Sequence, residues 1–239
     1  MHSGTGDPVW RSDSPASRVA LIAALELEAR ILRDVLGERS ARILISGPGP
    51  ERAGRAARQA VETGAEALIA WGLAGGLAGD TSSGTVVLPS RLISAAGEWR
   101  ADAVWRERLS RVVGSRFDLN EAPLYSADRV LTTPEAKAAL AACTGACAVD
   151  MESAAVARDA AEAGLPCVAL RVVADGARDA LPEGVETLVS ADGSVRFATL
   201  APFVASPRRF WRLLRLARRS RHARTVLRQV AEVLAEPAP

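Results

Sequence analysis

The chain has 239 residues, 49% of them apolar and 24% charged, a composition that excludes disorder and lets one sizeable core form. Thirty basic and 28 acidic residues leave a net charge of +2, so the chain as a whole is no strongly cationic nucleic-acid binder. That total hides an asymmetry: residues 208–228 hold nine arginines and no acid, and taking those nine from +2 leaves −7 on the rest.

Residues 1–17, rich in Gly, Ser, Pro and Asp, read as a flexible leader. Val19–Leu25 is an apolar run of strand length, and Glu26–Leu36 continues with helical spacing until Gly37 closes it. Residues 41–46 are the next strand. A Gly-Pro-Gly-Pro turn then opens a helix that stops at Gly64. Residues 67–72 form a third buried strand, expected to lead into a glycine-rich loop, LAGGLAGD, over residues 73–80. Residues 84–96 read as two short strands with a turn between them, and 101–113 as a helix. Residues 122–127 are a strand. Thr133-Pro134 places an N-cap and a first-turn proline before another helix. Residues 147–151 run into a helix over 152–164, and 165–175 is a strand apolar on both faces. Ser206-Pro207 starts a last helical segment.

Strands alternating with helices predict an α/β fold, a three-layer αβα arrangement around a mixed, mostly parallel sheet. The expected organisation is a leader (1–17), one catalytic domain (18–205) and a basic amphipathic helical extension (206–239). The three cysteines, Cys143, Cys147 and Cys167, imply no disulfide framework. The C-x-x-x-C pair has no matching His or Cys cluster, so no metal site is expected. The start of the chain is not a signal peptide, and no apolar run reaches membrane-spanning length. These readings place the chain in the cytoplasm.

In parallel sheets ligands bind beyond the carboxyl ends of the strands. Four segments meet there: Glu26 and Glu28, the glycine-rich segment, Asp150-Met151-Glu152, and Asp175. Taken singly, Glu26, Glu28 and Glu152 read equally as first-turn acids complementing a helix dipole, and Asp175 as a turn cap. Together, beside glycines that let a ligand approach the backbone, they point to a binding site.

The runs VALIAALELEARIL, WGLAGGL, AVDMESAAVA and LRVVADGA, in that order, resemble the nucleoside phosphorylase and methylthioadenosine/S-adenosylhomocysteine nucleosidase superfamily over residues 18–180. The run from Asp150 to Pro182, followed by a Pro-Arg-rich aromatic tail, looks like the hopanoid-associated phosphorylases, which are taken to remove adenine from adenosylhopane. The resemblance implies cleavage of an N-ribosyl bond. Asp175 matches the general acid that protonates the departing purine, Glu152 the carboxylate that binds the ribose hydroxyls, and Met151 a residue packing on the sugar. Val130 and Leu131 match the stretch beside the base. Asp150, Gly72, Leu73, Ala74 and Gly75 fall in the same substrate-binding segments. Relatives form dimers or larger assemblies, so a homo-oligomer is expected. A methylthioadenosine or adenosylhomocysteine nucleosidase is the alternative substrate reading, and a non-catalytic nucleoside-binding or membrane-adaptor protein the alternative of another class.

The attacking group stays open at this point. Glu28 matches the glutamate that activates water in the nucleosidase branch. The phosphorylase branch grips phosphate with an Arg and a Ser, but here Leu73 stands where many relatives carry that Ser. Gly49 and Arg52 are the only candidates for a phosphate grip, and two prolines beside them remove NH donors. No metal or redox cofactor is implied, and phosphate is a candidate co-substrate. Trp71, Leu73 and Val130 read either as an apolar pocket suited to a purine nucleoside carrying a lipid or as core.

The C-terminal segment reads as a helix with Phe210, Leu213, Leu214 and Ala217 on one stripe, arginines around it, and a second stripe of Val226, Leu227, Val230, Val233 and Leu234. Such a helix packs on the body or a partner subunit, or lies peripherally on the inner face of an anionic membrane through residues 206–235. It lacks the interleaved aromatics of a nucleic-acid binder, so no nucleic-acid partner is expected.

Overall fold

The structure is a computed structural model that describes residues 18–37, 42–79, 81–181 and 207–236, with residues 207–217 and 219 described as backbone only. The leader and the stripe of Phe210, Leu213, Leu214 and Ala217 lie outside what it describes at side-chain level.

β1 (Val19–Ala23) is wholly buried, as its unbroken apolar run requires. α1 (Glu26–Leu36) ends at Gly37, whose positive φ of 56° lets its NH turn back to the Arg33 carbonyl. β2 (Arg42–Ile45) and α2 (Pro50–Glu62) follow, with Pro50 in the first turn. β3 (Ala67–Gly76) is longer than the sequence predicts. The first half of the segment expected as a loop, Leu73–Gly76, is strand, because a parallel strand pairs with it as far as Gly75 and an antiparallel one pairs with Gly75 and Gly76.

Then come β4 (Val86–Val87), β5 (Arg91–Ser94), β6 (Gly97–Arg100), α3 (Ala103–Gly114), β7 (Leu119–Asn120) and β8 (Leu124–Ser126). β6 and β7 are additions to the sequence reading. α4 (Pro134–Thr144) begins as expected, the Thr133 side chain accepting from the Ala136 amide. β9 (Ala148–Asp150), α5 (Ser153–Glu162), β10 (Cys167–Asp175) and α6 (Pro207–Ala235) complete the order.

One mixed sheet results, in the order β6-β5-β8-β9-β3-β10-β4-β7, with β1 and β2 branching from β3. Six of its nine pairings are parallel. α1, α3 and α6 form one helical group and α2 with α5 the other, which gives the three layers expected.

Two details of this sheet position the site. First, β10 occupies one edge of β3 from Leu68 to Gly75. The other edge is shared: β1 pairs as far as Trp71, and β9 joins only at Gly75. Gly72, Leu73 and Ala74 therefore have an edge that no strand among the described residues covers. Second, α6 is no loose appendage over its C-terminal half. Val226, Leu227, Val230 and Leu234 belong to the same buried cluster as the sheet. That stripe is occupied by the body, while the neighbouring Arg228 pairs outward with Asp34 at 2.8 Å.

Candidate active site

The uncovered stretch of β3 opens on a cavity of about 260 Å³. Three elements end there, and each brings a carboxylate: Glu28 from the first turn of α1, Glu152 from the start of α5, and Asp175 from the end of β10. Leu73, Ala74, Gly75, Val130, Leu131 and Met151 line it as well, as the sequence led one to expect.

Glu28 serves two purposes at once. Its Oε2 accepts from the amides of Ala24 (3.1 Å) and Leu25 (2.9 Å), which caps α1. Its Oε1 accepts from the Leu73 amide at 2.8 Å, on the uncovered edge of β3. The carboxyl is 2% exposed, and this burial raises its pKa against the lowering pull of Arg171 and the three amides. Glu26, by contrast, is outside the site: it is partly exposed and pairs with Arg33 at 3.0 Å.

Glu152 accepts from the Gly49 amide at 2.8 Å and from the Met151 amide at 3.2 Å. Its pKa is pushed up to about 7, first by burial and then by the negative charge of Asp150, with Arg171 opposing. Asp150 lines the cavity, but it holds the scaffold rather than presenting an open acceptor. Its oxygens accept from Ser126, from the Ser153 amide and hydroxyl, and from the Glu152 amide, and it pairs with Arg171 at 2.9 Å.

Two charged residues that the sequence did not single out stand among these carboxylates, Arg171 and Lys137. Arg171 sits inside β10 at 1% exposure, donating to Ser153 Oγ (3.0 Å) and the Trp71 carbonyl (3.2 Å). It is the positive counterweight to Asp150, Glu152 and Glu28. Its signal was a charge inside an otherwise apolar strand, a placement that is costly unless paired. Lys137, on α4, lines the cavity and pairs with Asp175.

Gly72 explains how these charges fit. Its φ is 146°, and a Cβ there would meet Glu28 Oε1 at 2.5 Å and Arg171 Nη1 at 2.7 Å. The missing side chain is the space in which carboxylate and guanidinium meet the strand. At Gly75 a Cβ would lie 3.4 Å from Asp175 Oδ2, an ordinary contact.

Other expectations are corrected. Trp71 is fully buried in the core and faces no pocket. The Gly49 amide is given to Glu152, and Arg52 donates to the Pro48 carbonyl at 3.0 Å and does not line the cavity. Among the described residues, no group of three His, Cys, Asp or Glu could hold a metal ion.

Residues 28–199 match the sequence profile of the phosphorylase superfamily. The chain belongs to the phosphorylase superfamily. Solved structures with the same fold include the Helicobacter pylori 5′-methylthioadenosine/S-adenosylhomocysteine nucleosidase with 5′-methylthioadenosine in its active site (15% identity, 90% of this chain and 98% of that chain, TM-score 0.67). The corresponding nucleosidase of Neisseria meningitidis, in complex with methylthio-immucillin-A, is similar over the same shares at 20% identity and a TM-score of 0.64. The futalosine hydrolase of Helicobacter pylori matches at 18% identity over 68% of this chain and 86% of that chain, with a TM-score of 0.63. A comparison with curated proteins finds no match. At these identities the structures speak for the fold, and the superfamily assignment rests on the sequence profile.

Proposed function

We propose that the chain hydrolyses the N-ribosyl bond of an adenine nucleoside, and the observation that carries this is the convergence of Glu28, Glu152 and Asp175 on one cavity at the uncovered edge of β3. Asp175 delivers a proton to the imidazole ring of the departing purine. Glu152 accepts hydrogen bonds from the ribose hydroxyls and favours the positive charge that grows on the sugar. Glu28 takes a proton from the attacking water.

Water is favoured over phosphate by the residues around the attack position. A phosphate dianion needs several donors. Here Leu73 has no hydroxyl, its amide is given to Glu28, and Gly49 and Arg52 are engaged elsewhere. Two buried carboxylates would also repel a dianion in a region of low dielectric.

The resemblance to hopanoid-associated phosphorylases, together with the apolar lining of Leu25, Leu73, Val130, Leu131 and Leu181, supports an adenosyl substrate whose 5′ substituent is a large hydrocarbon, such as adenosylhopane. A homo-oligomer with peripheral membrane contact belongs to the same reading. The membrane contact is supported by a groove of about 540 Å³ between α1 and α6 lined by Arg30, Arg221, Arg224 and Arg228 with Asp34 as its one acid, and the homo-oligomer by the family resemblance alone. A small thioether nucleoside is the second reading, favoured by the names of the nucleosidases that share the fold.

The test is adenine release from a series of adenosyl compounds with growing 5′ groups, using wild type and Asp175→Asn. The hydrocarbon-bearing compound is expected to react fastest, and the variant to lose roughly 10²- to 10⁴-fold in kcat. Full activity in the variant would remove Asp175 from its role. Binding without adenine release would favour a nucleoside-binding protein instead.

A further inference from the structure

We propose that Lys137 is a positioning residue for the acid step, and that the proton which leaves with the purine is drawn from the Lys137–Asp175 pair. This rests on the reading that Asp175 protonates the leaving base.

Lys137 is the one lysine among 30 basic residues, in a chain whose other cations are all arginine. It is 1% exposed. A buried ammonium is costly unless its donors are met, and here they are. Nζ donates to Asp175, to the Gly176 carbonyl at 2.9 Å and to the Asp179 carbonyl at 3.2 Å. Three acceptors around one nitrogen suit the three donors of an ammonium, not the planar fork of a guanidinium. Lysine also differs chemically, since an ammonium can give up a proton and a guanidinium in a protein does not.

The placement is fixed from both sides. α4 begins at the Thr133 cap, and Lys137 lies one turn further on, its amide bonded to the Thr133 carbonyl. Leu181 donates to the Thr132 carbonyl, which ties the chain after β10 to the start of α4. The base-flanking residues Val130 and Leu131 precede that same helix. Lys137 thus links the segment beside the purine to the carboxyl that meets it.

The step balances. The bond between the sugar carbon and the purine breaks, and its electron pair moves into the base. Asp175 takes a proton from the Lys137 ammonium and passes that proton to the base. Lys137 is left as a neutral amine and regains its proton from solvent. The proton of the attacking water goes to Glu28.

The experiment compares wild type, Lys137→Met and Lys137→Arg on ribosides of adenine and of 6-chloropurine, whose electron-withdrawing chlorine lets the base depart with less help. Both variants are expected to lose on the order of 10²-fold in kcat with adenine and less than about tenfold with 6-chloropurine, at similar KM. The ratio between the two substrates does not depend on how much of a variant is folded. An equal loss on both substrates, no loss on either, or full recovery in Lys137→Arg would overturn the proposal. A wild type that releases neither base would instead overturn the functional reading beneath it.

Discussion

Glu152 sets the pH behaviour of the site. Burial and the neighbouring Asp150 push its pKa from an ordinary 4.5 to about 7, and Glu28 moves in the same direction through burial. For an acid raised on folding, the folded chain holds the extra proton between those two values, so stability falls as pH rises from 4.5 to 7. In the proposed mechanism catalysis runs the opposite way, because Glu152 must be ionised to accept hydrogen bonds from the ribose and Glu28 to take a proton from water. We therefore expect kcat/KM to climb through about pH 7 while the unfolding free energy declines over the same window. In Glu152→Gln the decline flattens. Urea titrations at a series of pH values check the first effect and a pH–rate profile the second. A stability curve that rises from pH 4.5 to 7 in wild type would contradict the assignment.

At the scale of elements, the branched edge of β3 makes the site. β1 leaves at Trp71, β9 arrives at Gly75, and Arg171 of β10 anchors the carboxylates gathered around the gap. Replacing Arg171 by Leu leaves Asp150 without its cation, and is expected to cost about 3–5 kcal/mol in urea unfolding. A loss under about 1 kcal/mol would show that the carboxylates do not need it. Much of this was legible. The apolar runs gave β1, β3 and β10, and the Thr133-Pro134 signal gave the start of α4 to the residue. β3 was read too short because glycine locally favours a loop, and the pairing with β10 and, at Gly75 and Gly76, with β9 holds Leu73–Gly76 extended. β6 was missed because Gly97–Arg100 is a short, partly exposed edge paired only to β5. β7 is two residues long, below what alternation can reveal. The three carboxylates were legible by their position after strands. Lys137 was not, since α4 carries little amphipathic pattern to say which side faces inward.

At the scale of the molecule, the charge asymmetry acquires a place. The acid-free segment contributes Arg221, Arg224 and Arg228 to one groove that Arg30 and Asp34 of α1 also line, Asp34 pairing with Arg228, while Val226, Leu227, Val230 and Leu234 of the same helix are buried in the core. Membrane contact would then be electrostatic, at about 1 kcal/mol per arginine near an anionic surface. The chain is expected to sediment with phosphatidylglycerol vesicles, less so in Arg221→Glu/Arg224→Glu, and to be released by salt. Equal binding to neutral phosphatidylcholine vesicles would contradict this. The chemistry of the cavity is decided by the acceptor. Turnover of an adenosyl nucleoside in phosphate-free buffer enriched in oxygen-18 water should release adenine and a sugar carrying one heavy oxygen, at a rate that added phosphate leaves unchanged. Absence of adenine, or release that requires phosphate and yields a sugar 1-phosphate, would contradict it.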